Sequence, residues 1–233
     1  MKSQLIRLFS FFILTVGLSI TANATLIDRG NGMIYDSAQD ITWLQDANYA
    51  MTSGYDADGL MDWNAATAWA DSLVYGGFDD WRLASVTDVG NDGCNWSFVG
   101  GTDCGFNVDP ASSELAYMWY SILGHTAFSG LTFTSADGVD ILNLQSGWYW
   151  SGTEYAPDTS SAWTFSTDTG QQGSWPKTFA QNPEYVESYA WAVRSGDVAA
   201  SKLNAVQTVT EPGSLLLLSV GLLGVAAFRR LHV

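Results

Sequence analysis

Carboxylate side chains around a glycine suggest a calcium loop in the first third of the chain. Asp56 and Asp58 precede Gly59, and Asp62 follows three residues later. Calcium loops place oxygen ligands at this spacing around a glycine turn. The Glu that closes an EF-hand loop is absent, because Thr67 stands at that position. We expect calcium, held by Asp56, Asp58 and Asp62, as the one candidate cofactor, with solvated turn residues as the alternative.

The two cysteines of the chain, Cys94 and Cys104, lie in a segment rich in Gly, Asn and Asp. Two cysteines this close predict a local disulfide if the chain reaches an oxidising compartment, which the N-terminal segment considered below indicates. Closing so short a loop would stabilise the fold by roughly 2–3 kcal/mol. A metal site at these cysteines is disfavoured, because the chain has only two histidines, His125 and His232.

Motifs of nucleophilic catalysis are missing from the sequence. It contains neither Gly-x-Ser-x-Gly nor His-Glu-x-x-His. A Ser/His/Asp triad would have to use His125, whose neighbours Gly124 and Thr126 predict a loop end. Pairs of carboxylates say little about glycoside chemistry in a chain with 24 acidic residues. We therefore predict that the protein is not an enzyme.

Tryptophan is the other residue type with binding potential, since its flat apolar ring can stack on a sugar ring. Trp96, in the cysteine segment, and Trp175, beside Pro176, are predicted to be exposed in loops and available for stacking on a glycan. Tryptophans in strand-like runs are more often core residues. That expectation covers Trp81, Trp150, Trp163 and Trp191.

Two helices and several short strands must position these residues. A helix over residues 63–73, capped by Asp62, follows from apolar residues at helical spacing, and a second is predicted over 113–123. Residues 48–58 are predicted to be a polar loop. Strands are predicted over residues 33–35, 41–44, 81–83, 131–134, 148–151, 162–166 and 189–194. Helices early and strands late favour an α+β fold.

The charge is strongly acidic, with 9 basic and 24 acidic residues and a net charge of −15. Four of the basic residues and one acidic residue lie in the end segments, which leaves −18 for the middle. Such a surface repels nucleic acid, anionic lipid and sulfated polysaccharide, and suits neutral glycans, cations or cationic partners. We expect at least one of Arg82 and Arg194 to be held by a carboxylate such as Asp80.

The N-terminal residues 1–24 have the three parts of a secretory signal peptide. Lys2 and Arg7 precede an apolar run over residues 8–20, and Ala22 and Ala24 form a small-x-small cleavage site. The alternative, an uncleaved membrane anchor, is disfavoured because the apolar run is short for a spanning helix.

The C-terminal segment 211–233 begins with Glu211-Pro212 and ends its apolar run at Arg229-Arg230. This order resembles the PEP-CTERM sorting signal of Gram-negative bacteria, although Thr210 replaces the first Pro. The resemblance implies an exosortase-type sorting enzyme as partner, transient contact with the inner membrane, and delivery to the surface or the exterior. An ordinary short C-terminal anchor is the alternative. Residues 197–210 are predicted to be a linker.

A series of short motifs in residues 25–196 carries a second resemblance. In order, they are GMIYD (32–36), ITW (41–43), WNAA (63–66), DWRLAS (80–85), YWSGT (149–153), AWTF (162–165) and AWAVR (190–194). This set resembles the Lcl C-terminal domain family, a domain of unknown function, although Ala84-Ser85 and Gly152 depart from its usual Pro-Thr and Ser. The resemblance implies a C-type-lectin-like compact α+β domain with a small antiparallel sheet, two helices, and both ends on one sheet.

These patterns together predict an exported surface or matrix protein that is a non-catalytic binding module for a neutral glycan or exopolysaccharide. One alternative is a structural biofilm or floc component without a specific ligand. Another is an enzyme that acts on exported polymers.

Overall fold

The computed structural model of the protein describes residues 25–88, 103–130, 132–178 and 187–199. The predicted signal peptide, the sorting tail and most of the predicted linker lie outside these residues. No helix within the described ranges is long and apolar enough to cross a membrane.

The N-terminal part of the chain forms an antiparallel meander. Its strands are β1 (Leu26–Gly30), β2 (Met33–Asp36) and β3 (Ile41–Leu44). The turn between β1 and β2 is Asn31-Gly32, with φ values of 54° and 72°. Two left-handed residues make the tight hairpin turn that matches the twist of the strands. A side chain at residue 32 would also collide with Tyr75, because a Cβ there would lie 2.2 Å from the Tyr75 hydroxyl.

The last strand of the domain closes this sheet. Strand β8 (Ala192–Ser195) lies between β3 and the short β4 (Arg82–Leu83) and is antiparallel to both, giving the order β1-β2-β3-β8-β4. The rings of Trp43 and Trp191 pack 4.5 Å apart, and Trp191 Nε1 donates to the Leu44 carbonyl at 2.7 Å. Both ends of the domain are therefore on one sheet, as predicted.

A second antiparallel sheet contains β5 (Trp148–Glu154), β6 (Ser161–Ser166) and β7 (Gln172–Pro176), in that order. Strand β6 is buried along its whole length. The two sheets meet where Trp150 N donates to the Tyr189 carbonyl at 2.9 Å, just before β8.

Two helical regions cover the sheets. Helix α2 (Trp63–Ser72) begins at its predicted cap, where the Asp62 carboxylate accepts a hydrogen bond from Ala65 N at 2.8 Å. The predicted second helix is confirmed in position, as α3 (Glu114–Ala116) followed by a π-helical segment, Tyr117–Ile122. Its predicted apolar face is buried and contains Leu115, Met118, Trp119 and Ile122.

The core is aromatic, and the four tryptophans predicted to lie in it are all buried. Trp81, Trp150, Trp163 and Trp191 are exposed by 2%, 0%, 1% and 2%. At least one of Arg82 and Arg194 was predicted to be held by a carboxylate, and both are. Arg194 Nε contacts Asp80 Oδ1 at 2.7 Å, and Arg82 Nη2 contacts Glu114 Oε1 at 2.7 Å. The hydrogen bond from Arg194 lowers the pKa of Asp80, and the hydrogen bond to Glu114 raises the pKa of Arg82.

The structure confirms the α+β class, with two small antiparallel sheets where one was expected. Several element predictions were wrong. Residues 132–134 form no strand, although Thr134 makes a single bridge to Asp140. The predicted polar loop 48–58 starts with a helical turn, α1 (Tyr49–Thr52), because residues 52 and 53 donate to the carbonyls of residues 48 and 49. Strands β1 and β7 were not predicted. The C-type-lectin likeness stays a prediction.

The cap of α2 gives a direct test of this local structure. We expect Asp62→Ala to lower the free energy of unfolding by about 1 kcal/mol, because the N–H of Ala65 loses its acceptor. Asp71→Ala in the last turn is the control, and removing an acid from that end should be neutral or slightly stabilising. Urea unfolding in the presence of a chelator measures both variants; equal losses would contradict the capping role.

Candidate functional site

We use the name aromatic face for three partly buried tryptophans: the contacting pair Trp148 and Trp175, and Trp63, which is linked to their strands through Ser151 and Lys177. Trp148 and Trp175 contact each other edge to face, with ring centroids 5.3 Å apart and an angle of 78° between the planes. This is a favoured geometry for an aromatic pair, so each ring fixes the orientation of the other. The pair presents apolar ring area at the surface of the smaller sheet.

The register of the smaller sheet explains why these two rings share one side. Trp150 lies opposite Thr164, which lies opposite Gly173. Trp148 and Trp175 are each two residues from this row, so their side chains leave the same face. Trp150 anchors the row by donating from Nε1 to the Met61 carbonyl at 2.8 Å. A Cβ at Gly173 would meet nothing within 4 Å, so there is space beside this residue, although Trp150, Thr164 and Gly173 are all buried.

Trp63 extends the aromatic face from the start of α2. Its Nε1 donates to the Ser151 carbonyl at 2.8 Å, which fastens the helix to β5. Lys177 Nζ lies 4.4 Å from the centroid of the Trp63 ring, a cation–π contact. Lys177 is also ion-paired with Glu154. The positive charge beside the rings is therefore neutralised, and the face offers stacking without a net charge.

The structure changes the prediction for Trp175 and adds Trp148. Trp175 lies in β7 and is half-buried, so the prediction that it is exposed in a loop was wrong. Trp96 lies outside the described residues. Trp148 was not predicted, yet the alternation in Trp148-Tyr149-Trp150 places it on the same side as the buried Trp150.

The aspartates predicted to bind calcium serve the local backbone. Asp56 Oδ1 accepts hydrogen bonds from the N–H groups of Asp58 and Gly59 at 3.1 and 2.8 Å. Burial disfavours ionisation of Asp56, but these N–H groups hold its pKa below the ordinary value. Asp58 accepts from Leu60 N at 3.0 Å, and Asp62 caps α2.

Neighbouring acids repel one another at this loop. Burial and the charges of Asp58, Asp56 and Asp62 raise the pKa of Glu187. In the part of the chain that the structure describes, no three His, Cys, Asp or Glu side chains are grouped to hold a metal ion. Calcium at Asp56, Asp58 and Asp62 stays a prediction.

The predicted disulfide also stays a prediction, because Cys94 lies outside the described residues. Cys104 is buried, with 4% exposure, and packs with Val86 and Trp163. Trp163 is held by the carboxylate of Asp88, which accepts from its Nε1 at 2.8 Å.

His125, the one candidate for a catalytic triad, is a packed interior residue with 7% exposure. Its ring stacks on Trp119 at 3.9 Å between centroids. Thr132 N donates to Nε2 at 3.3 Å, so the ring proton is on Nδ1 and faces Ser129 Oγ at 3.1 Å. Burial lowers the pKa of His125, which keeps the ring neutral. These contacts assign His125 a structural role.

The buried neutral imidazole predicts a pH dependence of stability. The pKa of His125 in the folded protein lies below its ordinary value of 6.5, so the unfolded chain takes up the proton first as the pH falls. Relative to His125→Gln, the wild type should lose up to about 1.4 kcal/mol per pH unit between pH ~6.5 and the folded pKa. Above pH ~7 the difference should be constant. Urea unfolding of both proteins from about pH 7.5 to about pH 5 checks this, and a difference that stays flat throughout would contradict it.

Comparison with known proteins identifies one segment of the chain. Residues 208–230 match the family model for the PEP-CTERM protein-sorting motif. The match contains the four predicted sorting residues, Glu211, Pro212, Arg229 and Arg230. No curated protein and no solved structure matches the chain, so the likeness to the Lcl C-terminal domain stays a prediction. The chain is thus an exported protein that carries a PEP-CTERM sorting signal for an exosortase at its C-terminal end.

Proposed function

We propose that the folded domain is a non-catalytic binding module for a neutral glycan or exopolysaccharide, and that the aromatic face is its binding surface. The observation that carries the proposal is the edge-to-face pair of Trp148 and Trp175, two partly exposed rings that fix each other's orientation. Rings held in this way offer contact area without the entropy cost of ordering a flexible side chain.

The distribution of charge supports a neutral ligand. The described part of the chain has four basic residues, and each one is ion-paired. The pairs are Arg29–Asp197, Arg82–Glu114, Lys177–Glu154 and Arg194–Asp80. With its cations neutralised internally and many acids left over, the domain would repel an anionic polymer. A neutral sugar polymer would not be repelled by these acids.

We propose a non-catalytic role because of the surroundings of the two side chains that could act in catalysis, His125 and Glu154. His125 lies between Trp119 and the residues Ser129 and Thr132. At the aromatic face, Glu154 is engaged by Lys177, so this carboxylate is not poised to protonate a glycosidic oxygen. Stacking on sugar rings is therefore the interaction that we propose for the aromatic face.

Binding to exopolysaccharide from a matrix-forming Gram-negative host tests the proposal. Trp148→Ala and Trp175→Ala should each weaken binding about tenfold, since an aromatic contact is worth about 1.5 kcal/mol. Tyr55→Ala is the matched control, because Tyr55 is 55% exposed and lies outside the aromatic face. Isothermal titration with near-UV circular dichroism as a folding check would measure this. A folded wild type that binds no neutral polymer would contradict the proposal and favour the alternative, a structural biofilm or floc component without a specific ligand.

The sorting signal predicts a processing step that can be followed by size. We propose that the tail makes a transient contact with the inner membrane before the exosortase acts. Changing Glu211 and Pro212 together to alanine should leave the tail attached and the protein in the membrane fraction, as should deletion of the exosortase gene. Immunoblots of membrane and culture fractions measure both effects. Tail loss that is unchanged without the enzyme would contradict this step.

A further inference from the structure

A polar cleft lies where three segments that are distant in the sequence meet. It encloses about 250 Å³ and is lined by Gln39, Ser85, Thr87, Ala111, Ser112, Ser113 and Glu114. Gln39 belongs to the turn between β2 and β3, Ser85 and Thr87 follow β4, and the other residues lead into α3. The volume lies just below the usual range of about 300–1,000 Å³ for a ligand pocket, which fits one compact molecule better than an oligomer.

The walls of the polar cleft are rigidly held. Glu114 Oε2 accepts from Ser85 N at 2.6 Å and from Arg82 Nη1 at 2.7 Å. The backbones of the two walls are also joined, because Thr87 N donates to the Ser112 carbonyl at 2.6 Å and Glu114 N donates to the Ser85 carbonyl at 3.1 Å. A site with walls fixed in advance loses little entropy when a ligand binds.

The third wall is held by a buried acid. Asp36 is fully buried, and its Oδ1 accepts from Ala38 N at 2.9 Å and from Gln39 N at 3.2 Å. These bonds fix the turn that carries the Gln39 side chain into the cleft. Burial, with the nearby Glu114 charge as a smaller cause, raises the pKa of Asp36.

Several polar groups of the cleft have hydrogen-bonding capacity to spare. Gln39 Oε1 is buried without a hydrogen-bond partner, whereas the hydroxyls of the partly exposed Ser85 and the exposed Thr87 face solvent and make no hydrogen bond to another described residue. Buried polar groups in proteins are normally paired, so an amide left unsatisfied at a cleft calls for a partner. Two hydroxyls and an amide supply both donors and acceptors.

The charge of the cleft narrows the ligand class. Glu114 is the one charged side chain in the lining, and its bidentate pair with Arg82 neutralises it. An anion would meet a carboxylate, and a cation would compete with a guanidinium that is already bound in the favoured fork geometry. A neutral molecule with several hydroxyl groups has neither problem, and each hydroxyl can both donate and accept.

We propose that the polar cleft binds one neutral sugar unit, a hexopyranose, through the side chains of Gln39, Ser85 and Thr87. The inference takes its ligand class from the proposed glycan function but uses residues that the aromatic face does not share. The aromatic face would hold a polymer by stacking, and the polar cleft would recognise the hydroxyls of a single residue.

Titration of the purified exported protein with glucose, galactose, mannose and N-acetylglucosamine tests the inference by NMR. At least one sugar should shift the Gln39 side-chain amide signals saturably at millimolar concentration. Thr87→Val and Ser85→Ala should each weaken that binding at least fivefold, because each removes one hydrogen-bonding group. Thr126→Val is the matched control, since Thr126 is exposed outside the cleft and should leave the affinity unchanged.

The outcomes separate this inference from the proposed function. Trp148→Ala should weaken polymer binding about tenfold yet leave the monosaccharide titration unchanged. If none of the four sugars shifts the Gln39 signals, or if Thr87→Val and Ser85→Ala bind as the wild type does, the cleft inference is overturned. Polymer binding that persists in that case would leave the aromatic face as the sole binding surface.

Discussion

The pairing of β3 with β8 is the constraint on which the rest of the domain depends. It joins residues 41–43 to residues 193–195, and the hydrogen bond from Trp191 to Leu44 spans 147 residues of sequence. The same strand brings Arg194 to Asp80 and stacks its guanidinium over Phe78 at 4.0 Å. The N-terminal meander, the segment around β4 and the link to the smaller sheet all meet at β8. The polar cleft lies on segments next to β3 and β4, the two strands that β8 pairs with.

The few Arg and Lys side chains of the domain form ion pairs between segments that are distant in the sequence. Arg29 joins β1 to Asp197, Lys177 joins the end of β7 to β5, and Arg82 joins β4 to α3. Partly exposed ion pairs contribute little to stability each, but they specify which segments meet. The acids, in turn, satisfy backbone N–H groups at turns and at the start of α2. The outer surface keeps the remaining negative charge, which favours solubility in a secreted protein.

Local patterns predicted the elements whose signals are local. Asp62 and the spacing of Ala66, Trp69 and Ala70 predicted α2, and β-branched or aromatic runs predicted β2, β3 and β6. Strand β7 was missed because Gly173 and Pro176 are poor strand residues, and their pairing with β6 comes from tertiary contacts. Neither surface has a local signature. Trp148 meets Trp175 across three strands, and the polar cleft combines residues 39, 85 and 114, so only the folded topology brings these side chains together.

The late position of β8 in the sequence has a kinetic consequence for secretion. An exported chain emerges with its N-terminal end first, and strand pairing over such a separation is intrinsically slow. The meander of β1 to β3 therefore keeps one edge unpaired and Trp43 uncovered until residue 195 has crossed the membrane. Residue 208, where the sorting motif begins, is at most about 45 Å of extended chain further on. Because the pairing of β8 is slow and the sorting motif follows it so closely, the sorting signal would reach the enzyme before the fold is complete.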